Sequence, residues 1–229
     1  MHHDTQPAPE ETVRAFLAAL SVLVVAAPAL GASTVTCHCF RDRSFDPARP
    51  AAADTYVLAT SRNSLLAEAY GVSKGTVVRA LMTGTPPEDL WVAHEVARLT
   101  GLAVREVLDA KSRERSWVAA LEALAVDGGR LDPELARRIR TGRAPASVVV
   151  DRVLRERLKV PAERIRALRE AGAGDAQTVA ACVLGRLTGE EPVDLFWKVR
   201  SGDTTWGALF HAAGVAPSDI DETIARLMG

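Results

Sequence analysis

Residues 65–84, LLAEAYGVSKGTVVRALMTG, decide the fold class. Leu66, Tyr70, Val72, Val77 and Ala80 recur at helical spacing, which places them on one face of two short helices. Gly71 interrupts the run where a tight turn needs a left-handed residue, and Ser73 offers a hydroxyl to the free amides of the second helix. Ala67 is the small side chain at which the two helices touch. The stretch predicts a helical hairpin, and similar start and stop signals recur along the chain. Thr85-Pro86-Pro87-Glu88 leads into Leu90, Trp91, Val92 and Val96, so Thr85 is expected to cap that helix, with Pro86 at its first position and Glu88 bonding back. Gly101 ends it. Asp132-Pro133-Glu134 opens another helix in the same way, and Gly84, Gly172, Gly189, Gly202 and Gly214 fall where helical patterns run out.

The 229 residues are 48% hydrophobic, 25% charged and only 5% aromatic. This is a globular composition, rich in Ala, Leu and Arg, that favours short helices over a β-sandwich. Twenty-eight basic residues against 29 acidic ones give a net charge of −1, so no overall field draws the chain to nucleic acid or anionic lipid.

The hairpin spacing returns further along. Laying residues 65–101 on 153–189, and 102–140 on 191–229 with Glu190 as a single insertion, gives 18 identities in 76 pairs. Arg98-Leu99-Thr100-Gly101 meets Arg186-Leu187-Thr188-Gly189, Trp117 meets Trp206, and Ala136-Arg137 meets Ala225-Arg226. Apolar character persists at Val77/Ile165, Val107/Phe196, Leu108/Trp197, Leu131/Ile220 and Leu135/Ile224. A unit of this length matches no common solenoid period, and two copies are too few for an array. The expected fold is all-α: two tandem helical lobes, residues 64–142 and 147–229, built from helix-turn-helix-like hairpins behind an irregular Pro-rich lead-in over residues 33–63.

Residues 15–32, AFLAALSVLVVAAPALGA, carry no charge and end in small residues after Pro28, as a signal-peptide core does. Residues 1–14 carry a net charge of −2, the wrong sign for a leader, and so point to a start at Val13. Residues 1–32 are expected to be a signal peptide and the protein to be exported, periplasmic or extracellular. The alternative is a membrane anchor over residues 15–32. Export leaves Cys37, Cys39 and Cys182 in an oxidising compartment. A bridge from Cys37 or Cys39 to Cys182, a tight Cys37 to Cys39 ring and unpaired thiols all stay open. Cys37, His38 and Cys39 are metal candidates only in residue type, because sequence neighbours rarely converge on one tetrahedral ion. Neither a catalytic triad nor a helical His pair is visible, so no catalytic residue and no cofactor is expected.

Residues 65–84 resemble the helix-turn-helix of bacterial transcription regulators, which implies that Lys74, Thr76 and Arg79 would face a DNA groove. The aligned second copy keeps Leu154, Leu158, Val160, Ile165 and Leu168 but has Arg155 for Ala67 and Lys159 for Gly71. Packing persists there while the DNA motif does not. A wider resemblance runs through Val199-Arg200-Ser201-Gly202, Trp206-Gly207-Ala208-Leu209 and Ala213-Gly214-Val215. These residues are similar to a Trp-Gly…Gly-Val module of small exported bacterial proteins of uncharacterised function, whose mature amino terminus Cys37-His38-Cys39-Phe40 also looks like. The likeness spans most of residues 37–229 and implies an exported helical fold without naming an activity; the first copy departs from it with Val118 in the glycine position.

Trp91, Trp117, Trp197 and Trp206 have bulky apolar counterparts in the other copy and read as core. The Arg-rich residues 153–170 read as a solvated helix face. The functional expectation is an exported, non-enzymatic binding or scaffolding protein whose partner is a protein or cell-envelope component. One alternative is a helix-turn-helix regulator using Lys74, Thr76 and Arg79; another is an extracytoplasmic metal-binding or redox protein using Cys37, His38 and Cys39.

Overall fold

A computed structural model describes Met1, Phe40 and residues 42–229. The leader, Cys37, His38 and Cys39 lie outside the described residues, and with them the expected cleavage, the Cys37 to Cys39 ring and the metal candidates.

The described chain is all-α, with no strand. Its helices are α1 (Asp54–Tyr70), α2 (Lys74–Met82), α3 (Pro87–Thr100), α4 (Val104–Glu114), α5 (Trp117–Ala123), α6 (Pro133–Thr141), α7 (Pro145–Glu156), α8 (Ala162–Glu170), α9 (Asp175–Thr188), α10 (Pro192–Arg200), α11 (Trp206–Ala212) and α12 (Ile220–Met228). Local chemistry sets most of the ends. The Ser73 hydroxyl accepts the Thr76 amide at 3.1 Å, and Asp132 Oδ1 accepts the amides of Glu134 and Leu135. α3 starts one residue later than expected: Pro86 is the cap, Pro87 opens the helix, and Thr85 takes no part. A residue that precedes proline is held out of the helical region, so Pro86 stays extended at ψ 140°. The lead-in is also shorter than expected, since α1 already begins at Asp54.

Under the sequence alignment, α2 and α3 share both ends with α8 and α9, and α5 shares both ends with α11. The short 3-10 turns Gly128–Arg130 and Pro217–Asp219 coincide as well. Gly71 and its counterpart Lys159 are both left-handed, with φ of 63° and 55°.

The described residues 42–229 lie in one compact unit that is not divided between the two expected tandem lobes. α1 packs on α9 and α12, while its counterpart α7 packs on α3 and α6. The first helix of each half therefore lies in the other half. α1 is buried on most sides, including Thr60, Ser61, Asn63 and Ser64. The Ser61 hydroxyl donates back to the Val57 carbonyl within the helix, while the Ser64 hydroxyl lies between the Thr60 carbonyl and Asp221 of α12. Leu65, Leu66, Trp91, Phe210, Ile220 and Ile224 join one continuous core across both halves. Each such side chain contributes roughly 1.5–3 kcal/mol on burial.

The lead-in lies on α11. Phe45 stacks on His211 at 4.6 Å, the Thr205 hydroxyl donates to the Pro50 carbonyl, and the Gly207 amide donates to Asp54 Oδ1. A Cβ at Gly207 would come within 3.2 Å of the Pro50 carbonyl and 3.3 Å of Phe45. Glycine is required there because the lead-in crosses it. Its counterpart Val118 has no such cover and is 36% exposed. Among the described residues, no helix is long and apolar enough to cross a membrane.

Candidate functional site

The two exchanged-helix interfaces are occupied by different chemistry. Where α7 meets α3, the Glu95 carboxylate is only 1% exposed. It accepts Arg98 Nε at 3.0 Å and Nη2 at 2.8 Å, Arg152 Nη2 at 2.5 Å and the Tyr70 hydroxyl at 3.1 Å. The Tyr70 ring stacks on His94 and meets Trp91 edge-on. Burial raises the Glu95 carboxyl, but the bonds from Arg98 and Arg152 outweigh it and the net shift is below the ordinary 4.5. Burial lifts the Tyr70 hydroxyl far above its usual range, with the Glu95 charge adding to it, and lowers the His94 imidazole. At the matching positions where α1 meets α9, Glu95, Tyr70, Trp91 and His94 become Val183, Leu158, Val179 and Cys182, and Arg152 becomes Ser64. The same contact is closed there with almost no charge.

Beside this network a cavity of about 480 Å³ opens between α6, α7 and α8, with Glu95 and Arg152 in its lining. Four further guanidinium groups line it, from Arg138, Arg155, Arg166 and Arg169. Arg169 is shared between Asp151 and Asp175, at 2.7 Å from each, and Ser147 donates to Asp175. Burial pushes the Asp151 carboxyl up, Asp175 adds to this, and Arg169 opposes it. Arg138 pairs with Glu134, whose carboxyl the bonds from Arg137 and Arg138 hold down at about 2. Arg155 makes no ion pair among the described residues, and Arg166 reaches Glu170 only at 3.8 Å on an exposed surface. Residues 127–170 carry twelve Lys or Arg against seven Asp or Glu, so this side of a nearly neutral chain is cationic. The solvated-face reading of residues 153–170 holds for Arg155 and Arg166. It fails for Arg169, which is drawn into part-buried ion pairs.

The remaining sequence candidates do not assemble with the groove. Lys74 Nζ bonds both oxygens of Asp221 on α12, at 2.6 and 2.7 Å, and Ser64 donates to the same carboxylate. Thr76 and Arg79 are exposed, but Thr76 shares its hydroxyl with Ser73. Lys74 thus fastens α2 to α12, away from any surface that Thr76 and Arg79 would present together. The Cys182 thiol is free and wholly buried in α9, where burial pushes it up to about 12. Cys37 and Cys39, the partners expected for a bridge to it, lie outside the described residues. Trp91, Trp117 and Trp206 are buried, but Trp197 is 48% exposed. Phe196 takes the inward position on α10, leaving Trp197 outside against Arg200 at 5.1 Å. No group of His, Cys, Asp or Glu that could hold a metal ion occurs among the described residues.

Sequence reasoning missed Glu95 and Arg152. The signal was present: Glu95 interrupts the apolar face of Leu90, Trp91, Val92, Ala93 and Val96, where a lone carboxylate needs a partner from elsewhere. The chain matches no family model, no curated protein and no solved structure.

Proposed function

We propose that this is a non-enzymatic binding protein that works outside the cytosol, and that the groove between α6, α7 and α8 holds an anionic segment of a protein or cell-envelope partner. The observation that carries this is the asymmetry of the two helix exchanges. At one, Val183, Val179, Cys182 and Leu158 stand where the other has Glu95, Trp91, His94 and Tyr70, and the charged one borders a cationic groove. Arg155 and Arg166 leave guanidinium donors open on the rim, suited to paired hydrogen bonds with carboxylate or phosphate oxygens. A general acid or base needs a group that exchanges protons near the working pH. Glu95 and Tyr70 are both shifted away from that range, so they serve as fixed contacts. Export rests on the uncharged stretch 15–32.

Fluorescence anisotropy with a labelled oligo-glutamate peptide tests the groove. Binding that weakens about tenfold or more in R155E/R166E, remains in R79E and falls steeply with salt is expected. Equal binding by all of these proteins, or a preference for duplex DNA that depends on Arg79, overturns the reading. Amino-terminal sequencing of protein recovered from fractionated cells is expected to find residues 1–12 absent and the protein outside the cytosol; intact residues 1–12 on cytosolic protein contradict export.

A further inference from the structure

A second pair of matching positions, remote in sequence from the groove residues of α6 and α7, differs in an informative way. In the first half, a cleft of about 780 Å³ lies between the start of α3 and the end of α4. Asp89, the third residue of α3, places its carboxylate in the wall of this cleft. That carboxylate accepts the Trp117 indole N–H at 3.0 Å and pairs with Lys111 at 3.3 Å. Lys111 in turn lies 5.7 Å from the Trp117 ring centroid. Cation, indole and helix start all serve one negative charge.

In the second half, a cleft of about 320 Å³ is lined by Gly172, Gln177, Phe196, Val199, Arg200 and Trp206. Under the alignment Gly172, Arg200 and Trp206 replace Gly84, Lys111 and Trp117, so the cation and the indole are kept. The carboxylate is not: Asp89 becomes Gln177, whose amide oxygen is turned back onto the Gly174 amide. The Trp206 indole N–H has no acceptor among the described residues, and it is not among the buried unpaired atoms, so it keeps contact with solvent. Arg200 forms no ion pair among the described residues. It stacks on Phe196 and Trp197 at 5.8 and 5.1 Å and donates one N–H to the Ala171 carbonyl, leaving its other donors free. Gly172 admits this approach, since a Cβ there would lie 3.3 Å from Arg200 Nη1.

We infer that the cleft between α9, α10 and α11 is a carboxylate-binding site, in which an external carboxylate takes the place that Asp89 occupies in the first half. Arg200 supplies the charge-assisted bond, Trp206 the neutral donor, and Phe196 with Val199 an apolar wall for the body of the ligand. The cleft volume suits an aromatic or short aliphatic acid, free in solution or at the carboxyl end of a polypeptide. This inference is independent of the groove proposed above.

The test uses residues 33–229 and NMR of the tryptophan indole N–H signals, with benzoate as probe. In the unaltered protein the Trp206 signal is expected to shift saturably while the Trp117 signal stays still. R200Q is expected to weaken binding about tenfold or more. Gln177→Asp supplies an internal carboxylate and is expected to close the site. Asp89→Gln removes one and is expected to open a second site that moves the Trp117 signal. Thermal melts of each variant show whether the fold persists, and the Asp89→Gln gain of binding does not depend on a loss that misfolding would mimic. A peptide with a free carboxyl end compared with its amidated form separates the sources: binding of the free form above benzoate points to a polypeptide end, and binding of benzoate alone to a small acid. A Trp206 signal that does not move with benzoate or either peptide, or that moves equally in R200Q and Gln177→Asp, overturns the inference.

Discussion

Glu95 carries four hydrogen bonds from three side chains on α1, α3 and α7, and its carboxylate is sealed from water. Removing the charge leaves Arg98 without its partner and Arg152 with Glu156 alone, so Glu95→Gln is expected to cost roughly 2–4 kcal/mol in urea unfolding. The shift of Glu95 below the ordinary 4.5 fixes the pH window. Its contribution is complete above that value and is lost as pH falls through the lowered folded value, so the gap between the two proteins should narrow below about pH 4.5. A gap that is constant from pH 7 to pH 3 contradicts the ion-pair assignment. Lys159 offers a test of opposite sign. It holds the left-handed turn that Gly71 holds in the first half, at a cost of roughly 1–2 kcal/mol for a residue with a Cβ. Lys159→Gly is expected to raise stability by about 0.5–1 kcal/mol after the extra chain entropy of glycine is set against it. A decrease would mean that the Lys159 side chain holds something the turn needs. The turn itself was legible in the sequence, because spacing reports backbone geometry. The partners of Glu95 were not, because Arg152 lies 57 residues away on α7.

At the scale of the helix, caps and ends were readable wherever one short-range hydrogen bond decides them, as at Ser73 and Asp132. They were misread where two prolines compete, at Pro86 and Pro87. The pairing of helices was not readable, since an apolar stripe states that a face is covered and not by which neighbour. The cover on α11 shows the difference. Gly207 and Val118 occupy matching positions, and only the packing reveals that the lead-in crosses one and not the other. Gly207→Val would press on the Pro50 carbonyl and the Phe45 ring, so a loss of roughly 1–3 kcal/mol is expected. Limited proteolysis should then cut within residues 42–53 faster than in the unaltered protein. Unchanged cleavage would place the lead-in elsewhere.

For the whole molecule, the repeat in the sequence suggested two bodies and the packing gives one. The reason is that α1 and α7 each complete the opposite half: α1 lies on α9 and α12, α7 on α3 and α6. Neither half holds a full set of partners for its own first helix, and a single core runs through both. Native-state hydrogen exchange of residues 33–229 in graded urea tests this interlocking most directly. The slowest amides of α3 and α9 are expected to open together, with one free energy and one dependence on urea. Opening of α3 at markedly lower free energy while α9 stays protected would show two independent lobes and contradict the exchanged-helix fold.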